Sequence, residues 1–193
     1  MSDVTSSPNR DAAAPSGGGR TAAEGLREAV VETERHVAGF GWDQPPRLFA
    51  LVRTQQLVAR EPGLAAQLGT PDRIDPAHLT AVEQDQLAPT SSVESMLGTM
   101  AWPEEVDGAA LALERVVVPP EAERDLPSDP DQAVEQLTSH PDRRDVRLMV
   151  AVLRDGTAMC ALRQRSHDDD SSVAVGPDLV PGLVHALHAT LLD

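Results

Sequence analysis

Between Asp145 and Arg165 the chain reads as two β-strands closed by an Asp155-Gly156 turn, and this element constrains the fold more than any other. An Asp-Gly pair favours a two-residue type I′ turn whose twist matches the flanking strands, which sets Arg154 opposite Thr157. The register follows by counting. Val146, Leu148, Val150 and Val152 then share one face with Arg165, Arg163, Ala161 and Met159. Met149, Ala151 and Leu153 share the other with Leu162, Cys160 and Ala158. Both faces are apolar in the middle. A hairpin with one wet face alternates apolar and polar residues, so this one is expected at the centre of a sheet covered on both sides, or with one face kept for a partner.

Charge narrows the classes of partner. Among 193 residues, 31 are acidic and 16 basic, a formal charge of −15. Such a field repels nucleic-acid phosphates and anionic lipid and favours solubility, which argues against a nucleic-acid partner. No membrane insertion is expected either: the apolar runs fall far short of the ~18 residues that span a bilayer, and the N-terminus lacks a signal peptide's apolar core. The expected compartment is the cytoplasm. Cys160 is the single cysteine; it has no internal disulfide partner and, between small strand neighbours, reads as a buried thiol acting as a small hydrophobe.

Met1 to Arg20 is rich in Ser, Gly, Pro and Ala, with no large apolar side chain after Val4. It cannot bury enough surface to offset its ordering entropy, so a disordered tail is expected over 1–20 and a single domain over 21–193. Thr21 and Glu24 have capping-box spacing, and Leu26, Val30, Thr33 and Val37 make one helical stripe ended by Gly39 and Gly41. The connector Trp42 to Pro46 leads into a strand over Arg47–Arg53. Thr54 is expected to cap a short helix through Arg60, interrupted at Glu61-Pro62 and resumed over 64–68. A weakly alternating strand is expected from His78 to Gln84, a second capping box at Ser91 and Glu94, and a strand from Ala109 to Val118. Beyond an acidic loop, Ser128 or Asp129 caps a helix bearing Val134 and Leu137 that Pro141 stops. After the hairpin, Val180, Val184, Leu187 and Leu191 line one face of a C-terminal helix. The pattern is α+β: a mostly antiparallel sheet of about four or five strands, the 146–165 hairpin among them, packed with N- and C-terminal helices.

GWDQPPRLFALVRTQQLVAREP at 41–62, MAWPEEVDGAALALERVVVPP at 100–120, the hairpin, and PGLVHALHATLLD at 181–193 carry a resemblance covering nearly everything after the tail. The chain resembles a family of small, uncharacterised actinobacterial proteins typified by a propionibacterial protein. That resemblance implies a cytosolic, single-domain protein of unknown function and transfers no functional residue. The order of strands and helices is also similar to secretion-chaperone-like α+β folds, in which an exposed sheet face binds another polypeptide.

Several residues have chemistry to weigh. His167, Asp168, Asp169 and Asp170 could hold a divalent cation or supply a base, but adjacent loop residues converge poorly and a solvated acidic loop is the simpler reading. His185 and His188 share a helical face, opposite the apolar stripe, which favours exposed histidines over a metal pair. His36, His78 and His140 have no companions at ligand spacing, and a thiol at Cys160 in a covered strand is poorly placed as a nucleophile. No phosphate loop, nucleophile elbow or zinc-type cysteine set is present, so neither catalytic residues nor a cofactor are assigned. Glu114 and Arg115 sit in an otherwise apolar strand, where a charge must pair or face water. Arg163 and Arg165 present a small basic spot beside an apolar surface, suited to a ligand carboxylate or phosphate or to neutralising Glu114.

Two functions follow. The first is a non-catalytic interaction or adaptor protein with an unidentified protein partner or a second copy of itself. The second is an anion-binding domain or small enzyme with a pocket near Glu114, Arg163 and Arg165, in which His167 or Asp168 transfers protons.

Overall fold

The computed structural model describes residues 20–84, 92–119 and 126–192. The expected disordered tail, apart from Arg20, lies outside these residues, as do Ser91 and residues 121–125 of the acidic loop. Helix α1 (Ala22–Ala38) starts where the capping box predicts: the Glu24 amide donates to Thr21 Oγ1 at 3.2 Å and the Thr21 amide to Glu24 Oε2 at 2.7 Å. Arg20, just before it, pairs with Glu28. Strand β1 (Arg47–Arg53) and helix α2 (Thr54–Arg60) follow. Thr54 is not the cap. It is the first helical residue, and its buried hydroxyl bonds His78 Nδ1 at 2.7 Å and Thr80 Oγ1 at 2.8 Å. Then come α3 (Ala65–Leu68), β2 (Leu79–Glu83), α4 (Val93–Leu97) and β3 (Gly108–Val117). Helix α5 (Pro130–Ser139) is capped by Asp129, whose carboxylate accepts from the Gln132 amide at 3.1 Å. Strands β4 (Arg144–Leu153), β5 (Ala158–Gln164) and β6 (Ala174–Gly176) and helix α6 (Pro181–Ala189) complete the chain.

The strands form one antiparallel sheet in the order β2-β1-β3-β4-β5-β6. The α+β class is as expected, with six strands rather than four or five. The hairpin is central and apolar layers cover both of its faces. On one side α1 brings Leu26, Ala29, Val30 and Val37 onto Phe49, Leu51, Ala110, Met149 and Ala161. On the other, Leu187 and Leu191 pack on Leu111, Leu148, Val150 and Cys160. Burial pushes the Cys160 thiol up from its ordinary pKa, as for a group that packs rather than reacts. Among the described residues, no helix is long and apolar enough to cross a membrane.

The hairpin register is one residue away from the expected one. Cα partners run Val146↔Gln164, Arg147↔Arg163, Met149↔Ala161 and Val152↔Ala158. The loop holds three residues, Arg154-Asp155-Gly156, closed by Leu153 N–H to Thr157 O and Gly156 N–H to Leu153 O, both 2.9 Å. Gly156 has φ +85°, the left-handed third position of such a loop. Arg154 is drawn out of hairpin pairing. Its amide donates to Asp107 O at 3.0 Å, and its guanidinium caps the carbonyls of Val106, Trp102, Pro103 and Leu191. A one-residue slip moves every side chain of one strand to the other face. Arg163 and Arg165 therefore lie on the α1 side with Arg147, not beside Val150.

Candidate functional site

Where α1 ends, the turn at Gly39–Gln44 drops over the far end of the sheet and covers a row of charges. Glu114, Arg147 and Arg163 are direct neighbours across β3, β4 and β5. Two arginines side by side on a covered face must be met by acids, and α1 supplies the main one. Glu34 grips Arg163 with two hydrogen bonds of 2.7 Å, both side chains being 3% exposed. Asp170 adds a contact at 2.7 Å and Asp168 one at 3.3 Å, so Arg163 has an acceptor for each nitrogen and its pKa is raised, chiefly by Glu34.

Arg147 is buried throughout. It donates to Glu114 Oε1 at 2.9 Å and to the Gly41 carbonyl, and its guanidinium carbon stands 4.4 Å from the Trp42 ring centre. Its Nε and Nη1 have no hydrogen-bond acceptor among the described residues, and the guanidinium stacks on the Trp42 indole. Trp42 is held in turn by Asp168, which accepts from its Nε1 at 2.8 Å. The turn is strained in one place, Asp43 at φ +65°, and pinned there: its amide donates to Glu114 at 2.8 Å and its carboxylate takes Arg165 in two bonds of 2.8 Å. Arg165 holds the Asp43 carboxyl below its usual range.

Of the four residues singled out as ligand contacts, Glu114, Arg115 and Arg165 line one open cavity of about 310 Å³ with Asp43, Val116, Arg143 and Asp145. Arg163 is not there. It faces a separate cleft of about 170 Å³ beside Glu34 and Asp170. The expected neutralisation of Glu114 by Arg163 is replaced by a pair with Arg147, because Arg147 stands directly opposite Glu114 in the β3–β4 register while Glu34 takes Arg163. In the larger cavity Arg165 is taken by Asp43 and Arg143 stands 3.7 Å from Asp145, while Glu114 is taken by Arg147 from outside the lining.

The loop after β5 spreads its side chains rather than converging them. His167 Nδ1 meets Ser166 Oγ at 2.9 Å, Asp168 bonds Trp42 and Arg163, Asp169 bonds Ser171 and Ser172, and Asp170 bonds Arg163 and Arg35. On α6, His185 is exposed, whereas His188 Nε2 sits 3.2 Å from the Arg154 carbonyl. Among the described residues no three His, Cys, Asp or Glu side chains are grouped to hold a metal ion.

Sequence reasoning passed over the opposite edge of the sheet. There α1 overhangs β2 and leaves a groove of about 310 Å³, with an apolar base of Ala29, Phe49, Leu79 and Ala81, a wall at Leu68 and a rim carrying Glu32, His36 and Glu83. Gln84 N–H to Leu48 O and Thr54 N–H to His78 O show that even-numbered residues of this segment bond β1. The amides and carbonyls of Leu79, Ala81 and Glu83 therefore point outward from an edge that is open among the described residues. Glu83 is clasped by Arg47 in two bonds of 2.6 Å, while Glu32 is exposed and makes no ion pair or hydrogen bond with the described residues.

A family model described as PPA1309-like protein, named after a Propionibacterium protein, matches residues 26–192. The chain belongs to that family. The resemblance read from the 41–62, 100–120 and 181–193 motifs is thereby borne out. The PPA1309-like family is one of unknown function, so membership brings no assigned site to these residues. Comparison with curated proteins and with solved structures gives no match.

Proposed function

We propose that this PPA1309-like protein is a non-catalytic, cytoplasmic interaction module that receives an extended segment of another polypeptide along β2. The observation that carries the reading is the edge of β2, open among the described residues, with three residues' backbone groups directed outward beside a groove with an apolar base. Adding a strand satisfies those groups with main-chain hydrogen bonds, and the groove takes alternate side chains. Both apolar faces of the central hairpin are used internally, which turns attention from the sheet face to its edge. The anion-pocket reading ranks second, since Arg165 and Arg143 in its lining already pair with Asp43 and Asp145.

Proline at position 81 gives a clean test. The Ala81 amide points outward, so Ala81→Pro removes no bond to β1 but blocks an incoming strand. A photo-crosslinking residue in place of Val82, which is 39% exposed, should give a discrete polypeptide adduct in the native cell. Ala81→Pro should abolish that adduct and spare adducts formed from a probe at Leu192. An adduct at 82 that survives Ala81→Pro refutes strand addition.

A further inference from the structure

Resting on the strand-addition reading, we infer that the segment received at β2 is basic, and that an arginine or lysine on it pairs with Glu32. In an added strand, side chains two apart lie roughly 6.6 Å from each other on one face. One groove-facing side chain would then seat in the apolar base at Ala29 and Ala81, and the next one along would reach the rim. The rim supplies one charge not already used. Glu83 is neutralised by Arg47, whereas Glu32 is exposed and has no partner among the described residues. The remaining side chains of the strand would face the other way, beside Val82, where an apolar residue fits. The whole chain, at −15, draws in a cationic segment and repels a second copy of itself. The recognised pattern is an extended run in which a basic and an apolar residue alternate on one face and β-branched residues occupy the other.

The test uses three fluorescent eight-residue peptides, alternating valine with arginine, with glutamate or with glutamine, each with a central leucine. Anisotropy titrations against the full chain should show binding of the arginine peptide and none of the glutamate peptide. Glu32→Arg should weaken the arginine peptide by about threefold or more, the range of an ion pair at a rim, and admit the glutamate peptide. Glu104→Arg changes net charge equally in the exposed loop before β3, and should leave the ranking unchanged. Equal effects of the two charge reversals would mean that the general field, not Glu32, selects the peptide, and would overturn the inference. Indifference to all three charges, or no binding of the arginine peptide, overturns it too. Strand addition is judged separately: if Ala81→Pro does not weaken the arginine peptide, that reading falls even where the charge preference holds. A concentration-dependent dimer dissolved by Ala81→Pro would make a second copy the occupant and overturn the basic partner.

Discussion

Glu34→Gln isolates the buried ion pair that fastens α1 to β5. The substitution keeps the side-chain shape but removes the charge, so Arg163, 3% exposed, faces an amide in place of a carboxylate. Breaking a buried pair by neutralising one partner costs about 3–5 kcal/mol, because the remaining charge is left uncompensated. Here Asp170 still contacts Arg163 Nη2 at 2.7 Å, which places the loss at the lower end, about 3 kcal/mol. Spread over a domain of this size, that is a fall in Tm of about 6–12 °C. Asp170→Asn provides the contrast: its side chain is 53% exposed and solvent-screened, so its removal should cost under about 1 kcal/mol. The double variant Glu34→Leu with Arg163→Met should recover most of the loss, since a packed apolar pair avoids desolvating two ions. Urea melts followed by far-UV circular dichroism measure all four proteins. If Glu34→Gln costs no more than Asp170→Asn, the pair is not desolvated in solution and the reasoning about this layer fails.

Two further outcomes follow from the same packing. Gly25→Ala should destabilise by about 2 kcal/mol or more and shift the melt accordingly, since a Cβ there would stand 2.0 Å from the Ala77 carbonyl oxygen, and backbone cannot yield cheaply; an unchanged Tm would show that α1 stands off from that loop. Stability should hold from neutral pH to about 5 and fall below about 4, because Asp155, held low by the Thr157 amide, and Asp170, held low by Arg163, contribute above the unfolded pKa and lose that contribution as pH falls through the folded one. Asp155→Asn, which keeps an acceptor oxygen but no longer titrates, should flatten part of that acid limb, and an unaltered limb would remove Asp155 from the account.

What could be read in advance was whatever depends on local pattern. Thr21 and Glu24 announce α1 because a capping box is a short-range arrangement of side chain and amide. Alternating apolar residues reveal β4 and β5 because the pleat has a period of two, whichever residue they oppose. Strand β6 escaped, since Ala174–Gly176 is too short to show a period and exists only by pairing with Cys160–Leu162. The cap expected at Thr54 failed for a tertiary reason: the hydroxyl finds His78 and Thr80, at the start of β2 and more than twenty residues away.

The site shows how much one turn residue decides. An Asp-Gly pair is compatible with a two-residue loop and with a three-residue loop carrying glycine third, and the choice was made elsewhere, by the carbonyls that capture Arg154. That choice sets which face β5 gives its arginines. With the expected register, Arg163 would stand on the α6 side beside Leu148, on the opposite face from Glu114. With the actual one it enters the α1 layer opposite Arg147, where Glu34 replaces an apolar residue in the helical stripe and Trp42 closes over the row. Glu34 lies four residues after Val30 and three before Val37, so the helical period alone marked it as inward-facing. An acid in that stripe and an arginine inside an apolar strand, each improbable to bury alone, were the legible signal for a buried pair. Because that row consumes its own charges, the proposed recognition falls to the edge of the sheet, where, among the described residues, β2 has outward backbone groups without partners and Glu32 a charge without one.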